Sequence, residues 1–76
     1  MKEKIEMRIR QIDCKVEFAE LQLAEYKQKM EMALESRDLE IAEFMPGYAT
    51  KYAELFKERK TLLEERDTLT MILEED

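Results

Sequence analysis

Apolar residues recur along the first half of the chain at alternating steps of four and three positions. This spacing puts them on one side of an α-helix, in the stripe that packs against a partner helix in a coiled coil. The members of the stripe are Ile5, Ile9, Ile12, Val16, Ala19, Leu23, Tyr26, Met30 and Ala33. The pattern then slips by four residues, as a stutter does, and continues through Leu34, Ile41, Met45 and Tyr48. It predicts a first helix over about residues 3–45.

The only proline and the only glycine of the chain, Pro46 and Gly47, stand side by side. Proline disfavours helical backbone in the residue before it and has no amide hydrogen, and glycine permits the positive φ of a tight reversal. We therefore predict a turn at residues 46–49. A second helix follows over about residues 50–74, with Thr50 as its N-cap.

A bend near Ser36 to Glu40 is the alternative to one continuous first helix. Ser36 or Asp38 would then cap a helix end. Neither residue has an acid or an amide three places further on, so neither completes a capping box. The continuous helix is the favoured interpretation.

The second predicted helix carries a stripe at the same spacing, formed by Tyr52, Leu55, Leu62, Leu69 and Leu73. Arg59 and Arg66 occupy the two remaining stripe positions. One interpretation pairs each guanidinium with an acid of the first helix, such as Glu31 or Glu35, so that the pairs set the register. The favoured interpretation is that the long stems pack and the charged heads reach water. The fold class is all-α, an antiparallel helical hairpin of coiled-coil character.

The predicted helices differ in length, because a rise of about 1.5 Å per residue makes the first about 65 Å long and the second about 38 Å. The second helix would leave the amino-terminal part of the stripe uncovered: Ile5, Ile9, Ile12 and Val16. Burying each of these side chains is worth roughly 1.5–3 kcal/mol. A single 76-residue domain is also near the lower limit for folding alone. We therefore predict a homodimer, or a higher even oligomer, that forms a helical bundle through these four residues.

The first helix has a second apolar face on the side opposite to its stripe. Its members are Met7, Cys14, Phe18, Leu21 and Met32, at about 160–220° from Ile5 when each residue adds about 100°. The favoured interpretation makes this face the core of the dimer, and the other makes it the binding surface for a foreign protein. These five residues are the candidate partner-binding site.

The composition argues against an enzyme. The chain has no histidine, one serine and one cysteine, so nucleophile–base pairs, phosphate-binding loops and zinc sites all lack their residue types. We expect no catalytic residue, no cofactor, no metal and no small-molecule substrate. Cys14 is interpreted as a small buried hydrophobe rather than a redox site.

The charges limit the class of partner. Nineteen acids are interleaved with thirteen bases, for a net charge of −6, and neither nucleic acid nor an anionic membrane would find a basic face. No segment is apolar for long enough to span a bilayer, and the amino terminus is too charged for a signal peptide. The lone thiol fits the cytoplasm, which would be the host cytoplasm for a phage-encoded protein.

These observations predict a non-enzymatic protein–protein interaction module that acts as a small regulator or inhibitor. Compact, acidic, all-helical chains without enzyme motifs are often antagonists made by phages or mobile elements, an association rather than a derivation from these residues. Two alternatives stay open. One is an acidic nucleic-acid mimic that blocks a DNA-binding protein, and the other is a structural assembly rod without a foreign target.

Overall fold

The structure, a computed structural model, describes residues 1–36, 40 and 43–75. Helix α1 spans Lys2–Glu35 and helix α2 spans Met45–Glu75. The two helices pack antiparallel, because Arg8 contacts Glu65 near one end and the ring of Tyr26 lies 6.1 Å from that of Tyr48 nearer the other. The described chain is therefore an all-α hairpin, with overall dimensions of 58 × 14 × 13 Å.

Helix α1 ends ten residues before the predicted boundary. Ser36 has extended backbone, with φ of −73° and ψ of 139°, and its amide donates to the carbonyl of Met32 at 3.0 Å. Serine favours helix ends because its hydroxyl competes for nearby backbone groups. The prediction of one helix up to residue 45 is wrong. The stripe residue Ile41 and the candidate cap Asp38 lie outside the described residues.

The predicted turn at residues 46–49 is also wrong, because Pro46 and Gly47 belong to the first turn of α2. The amide of Tyr48 donates to the carbonyl of Phe44 at 3.1 Å. Amides in the first turn of a helix have no acceptor within it, so a proline there loses no hydrogen bond. Gly47 does not have a positive φ. Residues 46–49 therefore belong to α2 and do not form the predicted turn.

Thr50 lies inside α2 and is not its N-cap. Its hydroxyl donates to the carbonyl of Pro46, four residues earlier, at 2.9 Å. Thr61, Thr68 and Thr70 make the same contact with the fourth residue before them. This is how threonine satisfies its hydroxyl within a helix, so the second helix begins at Met45 rather than at residue 50.

Replacing Gly47 with alanine is expected to stabilise the hairpin by about 0.5–1 kcal/mol, because alanine forms helix more readily than glycine. A Cβ at this position meets nothing within 4 Å. Urea denaturation measures the change, and Ala49→Gly in the same exposed turn should destabilise by a similar amount. A Gly47→Ala variant that loses stability would show that residue 47 needs the freedom of a turn.

The two helices have nearly equal lengths, with 34 residues in α1 and 31 in α2. Helix α2 therefore covers the part of α1 that the sequence predicted to be unmatched. Ile12 is completely buried and Val16 is 9% exposed, and both pack with Leu62. Ile5 and Ile9 are half-buried. The premise of a missing intramolecular partner is wrong for Ile12 and Val16, which have almost no surface left to offer a second chain.

The core of the hairpin is the seam between the two predicted stripes. Its buried side chains are Ile12, Val16, Ala19, Leu23 and Ala33 from α1, and Leu55 and Leu62 from α2. Leu63 and Leu69 pack against this core while keeping part of their surface in solvent. The spacing up to Ala33 thus identified the packed side of α1 correctly, as did the stripe of α2. Leu34, where the pattern was predicted to continue after its slip, is 73% exposed, so that part of the prediction is wrong.

Arg59 and Arg66 form ion pairs across the seam, but not with the acids named from the sequence. Arg59 donates to Glu20 at 2.9 and 3.0 Å, and Arg66 donates to Asp13 at 2.5 Å. The hydrogen bond and the charge of Asp13 raise the pKa of Arg66. Glu31 and Glu35 were named only in the alternative interpretation. The favoured one placed the arginine heads in water, and both side chains do remain about a third or more exposed, at 34% and 39%, while their heads are paired.

A third ion pair lies towards the open end of the hairpin. Arg8 donates to both carboxylate oxygens of Glu65, at 2.9 and 3.1 Å through Nη2 and at 3.2 Å through Nε. Both side chains remain more than a third exposed, and ion pairs in such settings contribute little to stability. Their geometry is nevertheless directional, so the three interhelical pairs favour one register of the two helices.

Candidate interaction surface

The second apolar face of α1, called here the outer face, consists of Met7, Cys14, Phe18, Leu21 and Met32. All five side chains are exposed. Phe18 is 63% exposed, Leu21 71%, and Met7 and Met32 61% each. Residues three and four apart share one side of a helix, so these five side chains line up along α1. Their angles around the helix place them on the side opposite the buried stripe. Helix α2 packs against the buried stripe and leaves the outer face uncovered.

Two shallow depressions lie beside the large side chains at the middle of the outer face. One has a volume of about 350 Å³ and runs between Cys14 and Phe18 on α1 and Glu58 on α2. The other has a volume of about 360 Å³ and is lined by Glu17, Glu20 and Leu21. The middle of the outer face therefore has two projecting apolar side chains with space next to each of them.

Cys14 is exposed, which corrects its interpretation as a buried hydrophobe. The spacing had correctly grouped it with Phe18 and Leu21. Its burial was inferred from an ordinary helical setting without an adjacent histidine, and no element of the described chain covers this side of α1. The thiol therefore lies within the apolar surface of the outer face and is accessible to reagents.

Helix α2 also exposes apolar side chains that the sequence reasoning did not single out. Phe56 is 53% exposed and Met71 62%. Phe56 lies by a depression of about 490 Å³ whose rim includes Lys57 and Lys60. Phe56 follows Tyr52 by four residues, so the two share one side of α2. That spacing could have shown from the sequence that they lie together. Phe56 and Met71 are separated by several turns, so they do not form a continuous stripe like the outer face.

The electrostatic surroundings of the outer face are mixed rather than of one sign. Lys29 pairs with Glu25, four residues before it, at 3.5 Å, and its ammonium lies 5.1 Å from the ring centre of Tyr26. Glu20 is held by Arg59. Acids along α1 are therefore interrupted by bases that already bind some of them.

The described part of the chain offers no group of three or more side chains placed to hold a metal ion. It also has no helix with an apolar stretch long enough to cross a membrane. Comparisons with protein-family models, with curated proteins and with solved structures returned no match.

Proposed function

We propose that the protein is a non-enzymatic interaction module, a small regulator or inhibitor that binds a target protein through the outer face of α1. The observation that carries the proposal is the exposure of Met7, Phe18, Leu21 and Met32, each more than 60% in solvent. Single exposed apolar residues are normal on protein surfaces, whereas an aligned apolar stripe marks an interaction site.

The stripe fits recognition between helices. Its members are spaced so that they contact one side of an approaching helix or the floor of an apolar groove, which is how amphipathic helices bind. Phe18 and Leu21 are three residues apart at its centre and would act as anchors. Binding energy in such interfaces is concentrated in a few large central side chains. The module would act by occupying the surface of its target.

A nucleic-acid mimic, the first alternative, needs ordered rows of free carboxylates. In the hairpin, Asp13, Glu20 and Glu65 are each held by an arginine of the facing helix. These ion pairs neutralise acids along the edges of the interface between α1 and α2. A nucleic-acid mimic would need free carboxylates in rows there. The observation favours the apolar interface over mimicry. A structural rod shares the fold and differs only in having no foreign target.

The proposal predicts that Phe18→Glu weakens binding to the target by more than ~2 kcal/mol, because a charge would enter the centre of an apolar contact. The target is the protein retained by the wild-type chain from a lysate of its source organism. Affinity is measured by calorimetry. The matched control is Phe56→Glu, which changes an aromatic residue of similar exposure on α2 and should leave the affinity unchanged.

Salt dependence separates the two candidate functions. An apolar interface should lose little affinity between low and high salt, whereas a mimic should lose it steeply. Neutralising Glu64 and Asp67, which are exposed acids of α2, should matter only for a mimic. Steep salt dependence together with full tolerance of Phe18→Glu would refute the proposed interface.

A further inference from the structure

The outer face belongs to a longer row of exposed side chains, called here the outer seam. It follows the same alternating spacing of three and four residues as the buried stripe, on the opposite side of α1. Its ten members are Lys4, Met7, Gln11, Cys14, Phe18, Leu21, Glu25, Gln28, Met32 and Glu35. Every one of them is exposed. Helix α1 thus has two seams, one filled by α2 and one without a partner in the described chain.

The outer seam is close to palindromic in chemistry about its midpoint, between Ala19 and Glu20. Positions at equal distances from that point carry matching or complementary side chains. The pairs are Phe18 with Leu21, Cys14 with Glu25, Gln11 with Gln28, Met7 with Met32, and Lys4 with Glu35. Only the pair of Cys14 and Glu25 lacks an evident complement.

We infer that the partner of the outer seam is a second copy of this chain, packed antiparallel about a two-fold axis at that midpoint. A two-fold axis brings each position against its equidistant counterpart in the other copy. Phe18 then meets Leu21, Met7 meets Met32, and Lys4 meets Glu35 at each end. The inference rests on the proposed role of the outer face as a protein interface and names its occupant.

The shape of the seam agrees with this arrangement. One depression lies beside Phe18 and the other beside Leu21, so the two-fold axis sets each projecting side chain near the depression of the other copy. Interdigitation of this kind is how helices pack side by side. The glutamine pair keeps a hydrogen-bonding contact between the apolar layers.

Opposite charge also favours the antiparallel direction. A parallel pair would set Lys4 against Lys4 and Glu35 against Glu35, both repulsive, whereas the antiparallel pair sets lysine against glutamate twice. Exposed pairs add little affinity, but like charges in contact discriminate against the wrong arrangement. The charged residues at the two ends of the outer seam therefore favour the antiparallel dimer, and the apolar side chains at its centre stabilise that dimer.

The surface area of the chain is sufficient for such an interface. Its accessible surface is 6344 Å², whereas a compact monomer of 9.2 kDa exposes about 4,900 Å². A standard interface covers about 800 Å² on each partner. The surface that the hairpin exposes beyond that of a compact monomer is therefore larger than the area that an ordinary dimer interface would bury on each chain. A target helix that uses the same face must displace the second copy.

Sedimentation equilibrium tests the dimer on the full chain. The wild type should have twice the 9.2 kDa chain mass at micromolar concentration. Phe18→Glu should raise the dimer dissociation constant by at least about thirtyfold, because the change acts twice in a symmetric interface. Phe56→Glu should leave it unchanged. A wild-type monomer at these concentrations would overturn the inference.

Charge exchange keeps the test valid if Phe18→Glu also disturbs folding. Lys4→Glu should weaken the dimer a few-fold by opposing two glutamates, and adding Glu35→Lys should restore it. Both positions are exposed in the single chain, so the hairpin tolerates the changes. A double variant no tighter than Lys4→Glu alone would contradict the pairing of Lys4 with Glu35.

Crosslinking distinguishes an antiparallel dimer from a parallel one. In the antiparallel arrangement Cys14 of one copy faces Glu25 of the other, so the two thiols are separated by about 16 Å along the axis at 1.5 Å per residue. A bismaleimide shorter than one helix diameter of about 10 Å should not join wild-type chains. With Cys14→Ser, the double variant Gln11→Cys and Gln28→Cys should crosslink efficiently. Efficient crosslinking through Cys14 would show a parallel dimer and refute the inference.

The outcomes for the dimer and for the target are distinguishable. A monomeric chain whose target binding is lost in Phe18→Glu would refute the second copy and support the interaction module. A crosslinked antiparallel dimer whose target binding tolerates Phe18→Glu would support the second copy and refute the outer face as the target site.

Discussion

Replacing Ile12 with alanine is expected to destabilise the protein by about 2–5 kcal/mol, the usual cost of removing a large buried aliphatic side chain. Ile12 is the one described side chain of its size that is completely buried, and it packs with Val16 and Leu62 in the seam. A hairpin has no second layer that could collapse into the cavity. Since small domains have only a few kcal/mol of stability in total, the variant should be largely unfolded at 37 °C.

Urea denaturation followed by circular dichroism measures this loss at one fixed chain concentration, because self-association would also contribute to stability. Ile72→Ala is the matched control. It makes the same chemical change in α2, where Ile72 is 43% exposed, and should cost well under half as much. Equal losses for the two variants would show that the seam at Ile12 is not the core.

Introducing a carboxylate between the helices should have an effect of similar size. Ala19 is 4% exposed, so Ala19→Asp would bury a charge on a side chain too short to reach water. Such a change is expected to cost on the order of 3–5 kcal/mol and to abolish most of the helical signal. Ala24→Asp, at an exposed position of the same helix, should cost only the lower helix propensity of aspartate, less than about 1 kcal/mol.

The pH dependence of the Ala19→Asp variant gives an independent check. Burial favours the neutral acid, so the introduced carboxyl should have a higher pKa in the folded chain than in the unfolded chain. The destabilisation relative to Ala24→Asp should therefore be full near neutral pH and shrink as the pH falls towards the unfolded pKa. A difference independent of pH would mean that side-chain volume, rather than charge, is responsible.

The periodic pattern predicted most of the seam, although it left out Leu63, which packs against the core, and included Leu34, which is exposed. Val16, Leu23, Leu55 and Leu62 were assigned to it from spacing alone, and they are buried. Spacing also separated Phe18 and Leu21 from the seam, and they are exposed. Burial of this kind depends on the angle of each residue around its own helix, which the sequence specifies directly.

The position of the reversal could not be predicted in the same way, because proline has two favourable settings. Pro46 suits a turn and suits the first turn of a helix equally well, since its fixed φ and missing amide are tolerated in both. The error moved every contact across the hairpin. The interpretation that gave Arg59 an acidic partner named Glu31 or Glu35, and the residue it pairs with is Glu20.

The sequence by itself determined that two long amphipathic helices form within the described residues, which side of each is packed, and that α1 has apolar residues on two opposite sides. Only the tertiary structure decided where α1 ends and α2 begins, that α2 covers Ile12 and Val16, and that the outer face has no cover within the described hairpin. The physical reason is that helical periodicity is a local property. Register and coverage depend instead on the length of both helices and on the place of the turn, which couple residues far apart in the chain.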